Sequence, residues 1–139
     1  MIIMSVDCGD ARTGIALCDK FETLAFPKTV IKESDYSVLV EDVSRLAKEN
    51  KAELIVVGNP KNMDGSEGFR SDKCKEFAEN LKEITGIEVI MWDERLTTVS
   101  AHNFFNETNT RGKKRKANID AQSAVIILQS YLDYRRSSL

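Results

Sequence analysis

The 139-residue chain reads as a three-layer α/β domain, a mixed β-sheet with helices on its faces. Three observations predict this. The first 31 residues form three apolar strand-like runs separated by short polar turns. From Asp35 the apolar period changes from two to that of a helix. Further on, two short apolar runs alternate with helical segments, as β-α-β units require.

Each element has its own warrant. "MIIMSVD" (1–7) is the first strand, "GDAR" the turn, "TGIALCD" (13–19) the second strand and "TLAFPKTVI" (23–31) the third. Pro27 has no backbone donor, so the third strand belongs at a sheet edge. Leu39, Val43, Leu46 and Ala47 share one face of a helix over about 35–50. "ELIVVG" (53–58) is continuously apolar, as in a parallel strand covered on both faces. Cys74, Phe77, Ala78, Leu81 and Ile84 mark a second helix, stopped by Gly86. "IEVIMW" (87–92) is the next strand, and a third helix is expected over about 97–107, with His102 packed beside Phe105. "NTRGKKRKAN" reads as a basic loop, followed by a last, largely apolar helix over about 118–135 that should pack on the sheet.

Composition narrows the function classes. Hydrophobic content is 42%, charged content 30%, and net charge −2 from 20 basic and 22 acidic residues. That balance is ordinary for a globular protein, and any nucleic-acid contact would have to come from a local patch. No signal-peptide pattern is seen, and no apolar run approaches the roughly 18 residues of a membrane span. Three cysteines without a C-x-x-C pair, beside a single histidine, argue against zinc. Cys8 and Cys18 are expected as buried thiols, and the expected location is the cytosol.

The candidate chemistry is carried by acids at strand ends. Asp7 follows "IIMSV", and Asp93-Glu94 follows "IEVIMW". An unpaired buried carboxylate is costly, so Asp7 calls for a partner. A third acid, Asp120, begins the last helix. Ligands collect at the carboxyl ends of strands in α/β sheets, and three acids meeting there would hold Mg²⁺ through hard oxygens. Two such ions suit phosphodiester cleavage. Each acid also has a plainer reading: Asp120 as a helix N-terminal acid, Asp93 as a turn residue, Glu94 as a surface partner of Arg95. Asp10 and Asp64, in Gly-containing turns, read as structural. Asn59, Lys61 and Asn62 follow a strand and could donate to a phosphate or base, although "GNPKNMDGSEG" is no nucleotide P-loop. "RGKKRK" (111–116) is the one dense cationic segment, suited to phosphate contact or to solvent.

Three motifs in order, "DCGDARTGIAL" (7–17), "VGNPKNMDGSEG" with "WDERLTT" (57–68 and 92–98), and "RKANIDAQSAVIILQSYLD" (115–133), resemble the YqgF/RuvX family. The resemblance covers nearly the whole chain and implies a single RNase H-like domain with strand order 3-2-1-4-5. It implies that Asp7, Glu94 and Asp120 are the metal-binding acids. The doublet Asp93-Glu94 leaves open which carboxylate reaches the metal, and strand alternation favours Glu94, with Asp93 turned away. The resemblance further implies a Mg²⁺- or Mn²⁺-dependent nuclease processing the 5′ end of pre-16S rRNA in the bacterial cytoplasm. Arg12, Lys114, Arg115 and Lys116 would position the substrate backbone, while Asn59, Lys61, Asn62 and Arg95 would line its groove. Alternatives are a resolvase of four-way DNA junctions, expected as a dimer, and a non-catalytic module bound to RNA or the ribosome. The actin-like ATPase superfold shares the D-x-G turn but binds nucleotide between two such domains.

Overall fold

The computed structural model describes residues 1–8, 12–59, 69–93 and 112–137; residues 59, 69–71 and 112–120 are described by their main chain only. The elements are β1 (Ile3–Asp7), β2 (Thr13–Cys18), β3 (Ala25–Ile31), α1 (Tyr36–Glu49), β4 (Leu54–Asn59), α2 (Phe69–Thr85), β5 (Glu88–Asp93) and α3 (Gly112–Ser137). The strands form one sheet in the order β3-β2-β1-β4-β5. The first hairpins are antiparallel, whereas β1, β4 and β5 run parallel. The carboxyl ends of these three parallel strands therefore share one end of the sheet. No helix among the described residues is long and apolar enough to cross a membrane.

Pro27 lies on the edge strand β3, as its missing donor demands. Beside it the register shifts: Ile15 faces Thr29 but Ala16 faces Pro27, so Lys28 bulges out of the ladder. β4 sits between β1 and β5 and is buried on both faces. Ile55 and Val57 pack on one side, Leu54 and Val56 on the other. This two-sided cover explains its unbroken apolar run.

Two cores result. On one face α1 and α2 bury Leu39, Val43, Ala47, Cys74, Phe77 and Leu81 against Met4, Val6, Ile15 and Leu17. Asp35 caps α1, its carboxylate accepting the Ser37 amide at 2.9 Å. Gly86 ends α2 with φ +70°, its N–H donating to the Lys82 carbonyl at 2.9 Å. Ile84 departs from expectation: it is 48% exposed, because the buried stripe of α2 ends at Leu81 before the chain turns back at Gly86.

On the other face α3 covers the sheet among the described residues, burying Ala124, Val125, Ile127, Leu128, Tyr131 and Leu132. The helix starts at Gly112, not near 118, so the cationic segment expected as a loop is helical from there on. Lysine, arginine and alanine are good helix formers, and a charge run lacks an apolar stripe without lacking helix propensity. The helix expected over 97–107, with His102, lies outside the described residues. All three cysteines are buried, Cys8 and Cys74 toward α1 and α2, Cys18 toward α3.

Candidate active site at the carboxyl end of the parallel strands

Strand alternation decides which side chains share a face. On β1, Ile3 packs toward α3, and Ser5 on the same side donates its Oγ hydrogen to the Ala124 carbonyl at 2.6 Å. Asp7, two residues further, falls on that same α3 face and is half-buried at the end of the strand. It pairs with Gly14 of β2, while Val6 pairs with Val57, so Gly58 of β4 follows on the level of Asp7. Gly58 is in turn opposite Trp92 of β5. The row across the sheet end thus reads Asp7, Gly58, Trp92, with a glycine between the acid and the indole.

The last row is Asn59 opposite Asp93. Asp93 has the parity of Val89 and Met91, which pack toward α1 and α2, so its carboxylate leaves the sheet on the side away from α3. Asn59 closes β4 by its main chain.

Helix α3 runs antiparallel to β1. Its middle meets β1 through the Ser5–Ala124 bond. Its later half reaches the opposite end of the sheet, where Gln129 Oε1 accepts the Ala25 amide at 3.0 Å and Arg135 pairs with Glu22. Asp120 lies one turn before Ala124, about 6 Å along the axis. Asp7 lies about 6.6 Å beyond Ser5 along β1. The two backbones therefore advance in the same direction by nearly the same distance from the shared contact.

The other expected residues divide plainly. Arg12 immediately precedes β2, at the same sheet end as Asp7, and is half-buried. Lys114, Arg115 and Lys116 belong to the first turns of α3 by their main chain. Lys61, Asn62, Glu94 and Arg95 lie outside the described residues, as do Asp10 and Asp64. Among the described residues no three metal-capable side chains gather. Asp7 is itself a hard oxygen donor on the covered face, which suits Mg²⁺ or Mn²⁺ rather than a soft metal.

Two features escaped the sequence reading. Ser5 is fully buried, and its signal was available: a lone hydroxyl within "IIMSV", two residues before Asp7 and so on the same face. Trp92 is 9% exposed, its Nε1 buried and without a hydrogen-bond partner among the described residues, its ring set edge-on to Tyr131 at 5.5 Å. Nothing in its sequence context signalled that state.

A five-stranded sheet in the order 3-2-1-4-5, with a long helix across the face that carries the β1 acid, defines the RNase H-like class of fold. Solved structures agree at the level of fold: RuvC of Thermus thermophilus in complex with Holliday junction substrate superposes with a TM-score of 0.71 at 11% identity, over 99% of this chain and 96% of that one. The RuvX family model, described as Holliday junction resolvase, matches residues 1–134. The chain belongs to the RuvX family. A protein of Caldanaerobacter subterraneus subsp. tengcongensis named "Putative pre-16S rRNA nuclease" is 41% identical over 140 residues, covering 99% of this chain and all of its own length. A protein of Agathobacter rectalis with the same name is 40% identical over 141 residues, covering 99% of both.

Proposed function

We propose that this chain is a divalent-metal-dependent endonuclease that hydrolyses phosphodiester bonds in structured RNA, acting on the 5′ end of pre-16S rRNA. The observation that carries it is Asp7, at the end of the central strand of the sheet and on the α3 face, two residues from the Ser5 that bonds Ala124. The names of the full-length relatives support the RNA substrate. The whole chain is read as one nuclease domain working in the bacterial cytoplasm, as monomer or homodimer, on ribosomal precursors.

Asp7, Glu94 and Asp120 would hold the metal. Asp93 is left out because its parity sends it to the other face, and an adjoining residue in extended chain takes the opposite side. When bound, Mg²⁺ or Mn²⁺ supplies an activated water and neutralises charge on the leaving oxygen. The chain's own residues do the positioning. Arg12, before β2, and the cations Lys114, Arg115 and Lys116, in the first turns of α3, would meet phosphates of the substrate backbone. Asn59, Lys61, Asn62 and Arg95 line the groove and orient the strand.

A second reading is cleavage of four-way DNA junctions, favoured by the family description and by the fold shared with a junction-bound resolvase. One experiment tests both: wild type and Asp7→Asn are incubated with a precursor rRNA fragment and a four-way DNA junction, in Mg²⁺, Mn²⁺ or chelator. Metal-dependent cleavage of the RNA, abolished by Asp7→Asn, is the expected result. Cleavage confined to the junction selects the second reading. Full RNA cleavage by Asp7→Asn refutes the metal role, and RNA binding without cleavage in any metal identifies a non-catalytic module.

A further inference from the structure

We infer that Ser5 is a positioning residue for the metal site: its hydrogen bond to Ala124 sets the axial register of α3 over β1, and thereby the level at which Asp120 stands relative to Asp7. The inference rests on the proposed pairing of those two acids.

Ser5 sits in the middle of a strand whose other interior positions are apolar. It is fully buried, as is Ala124, so water cannot substitute for the bond. The Oγ donates at 2.6 Å to a main-chain carbonyl inside a helix, across 119 positions of sequence. Apolar packing such as that of the cluster holding Ile3 and Leu128 tolerates a sliding helix, because dispersion has little directionality. A short hydrogen bond does not slide, since it weakens steeply with distance and angle.

The register matters at the acid end. Asp7 and Asp120 are each reached from this bond by about the same rise, two residues of strand and four of helix. A helix free to shift along its axis would carry Asp120 out of reach of an ion held by Asp7. Supports of this kind behind metal ligands change affinity by about 10–100-fold when removed.

The test measures Mn²⁺ affinity by electron paramagnetic resonance and calorimetry, with kcat and KM alongside, in wild type, Asp7→Asn, Ser5→Ala, Ser5→Cys and Ile3→Val. Ser5→Ala is expected to weaken Mn²⁺ binding by about tenfold or more and to lower kcat with KM little changed. Ser5→Cys keeps a weak donor in the same space and should fall between. Ile3→Val loosens the same face at the far end of β1, and should lower Tm while leaving Mn²⁺ affinity intact. If Ser5→Ala does not fold, Ser5→Cys against Ile3→Val at matched Tm carries the comparison. Mn²⁺ binding lost in Asp7→Asn but within twofold of wild type in the Ser5 variants overturns the role of Ser5 and leaves the metal site standing. Wild type that binds no Mn²⁺ overturns the metal site, and the positioning role with it.

Discussion

Arg135 near the end of α3 donates its Nε–H to Glu22 Oε1 at 2.5 Å, joining the last helix to the β2–β3 hairpin across 113 positions. Glu22 stands at φ +57°, and its second oxygen accepts from the N-terminal ammonium at 3.2 Å. Arg135 also donates to the Tyr131 hydroxyl at 3.3 Å. This cluster pins α3 at the end of the sheet opposite Asp7, so the helix is tied at its later half as well as at Ala124.

The pair makes stability depend on acid. Burial works to raise the Glu22 carboxyl, but hydrogen bonds from Arg135 and the N-terminus outweigh it, and it titrates below its ordinary range. A carboxyl lowered on folding contributes stability above its unfolded value, and that contribution is lost as pH falls through the folded one. Glu22→Gln should therefore cost roughly 0.5 kcal/mol at pH 7, a figure reduced for solvent screening of a half-exposed pair. Urea melts of the two proteins should differ at pH 7 and converge as the pH falls through the lowered titration of Glu22.

Helix α3 is held mainly by apolar burial, so its centre should be sensitive to cavities. Leu128 is fully buried among residues of β1, β2 and β4. Leu128→Ala should cost about 3 kcal/mol, lowering Tm by on the order of 10 °C in a calorimetric scan.

Gly86 offers a test of backbone conformation by itself. An added Cβ would meet nothing within 4 Å, but φ is +70°. Gly86→Ala should cost about 1 kcal/mol in denaturant melts, all of it from the left-handed conformation. An unchanged midpoint would show that the α2 terminus relaxes freely.

Metal should stabilise the fold through Asp7. Millimolar Mg²⁺ or Mn²⁺ is expected to raise Tm in wild type by mass action on the native state. Asp7→Asn should show no such rise, while matching or exceeding the metal-free wild type if Asp7 stands, as proposed, among like charges. A Tm rise of equal size in both proteins would place the ion elsewhere.

Much of this molecule was legible in its sequence. Asp7 stood out because five nearly apolar residues lead to it, and it does close β1 on the face that α3 covers. Pro27 announced an edge strand through a missing donor. The unbroken run at 54–57 announced a strand covered twice. The reading failed where periodicity carries no information. The charges at 112–116 looked like a loop because they lack an apolar stripe, yet helix propensity continues through them. Ile84 kept the helical spacing but fell past the end of the buried stripe.

What the sequence determined by itself is local: which segments are strands or helices, which faces are apolar, and which acids sit at strand ends. These follow from propensity and from periods of two and 3.6, both properties of neighbouring residues. Only the tertiary structure decided that α3 runs antiparallel across β1 and that Ser5 meets Ala124. Those relations depend on how one layer packs against another, and no local period encodes the axial position of a helix on a sheet. In this protein the ties include a buried hydroxyl on a main-chain carbonyl 119 positions away, Gln129 on Ala25 and Arg135 on Glu22.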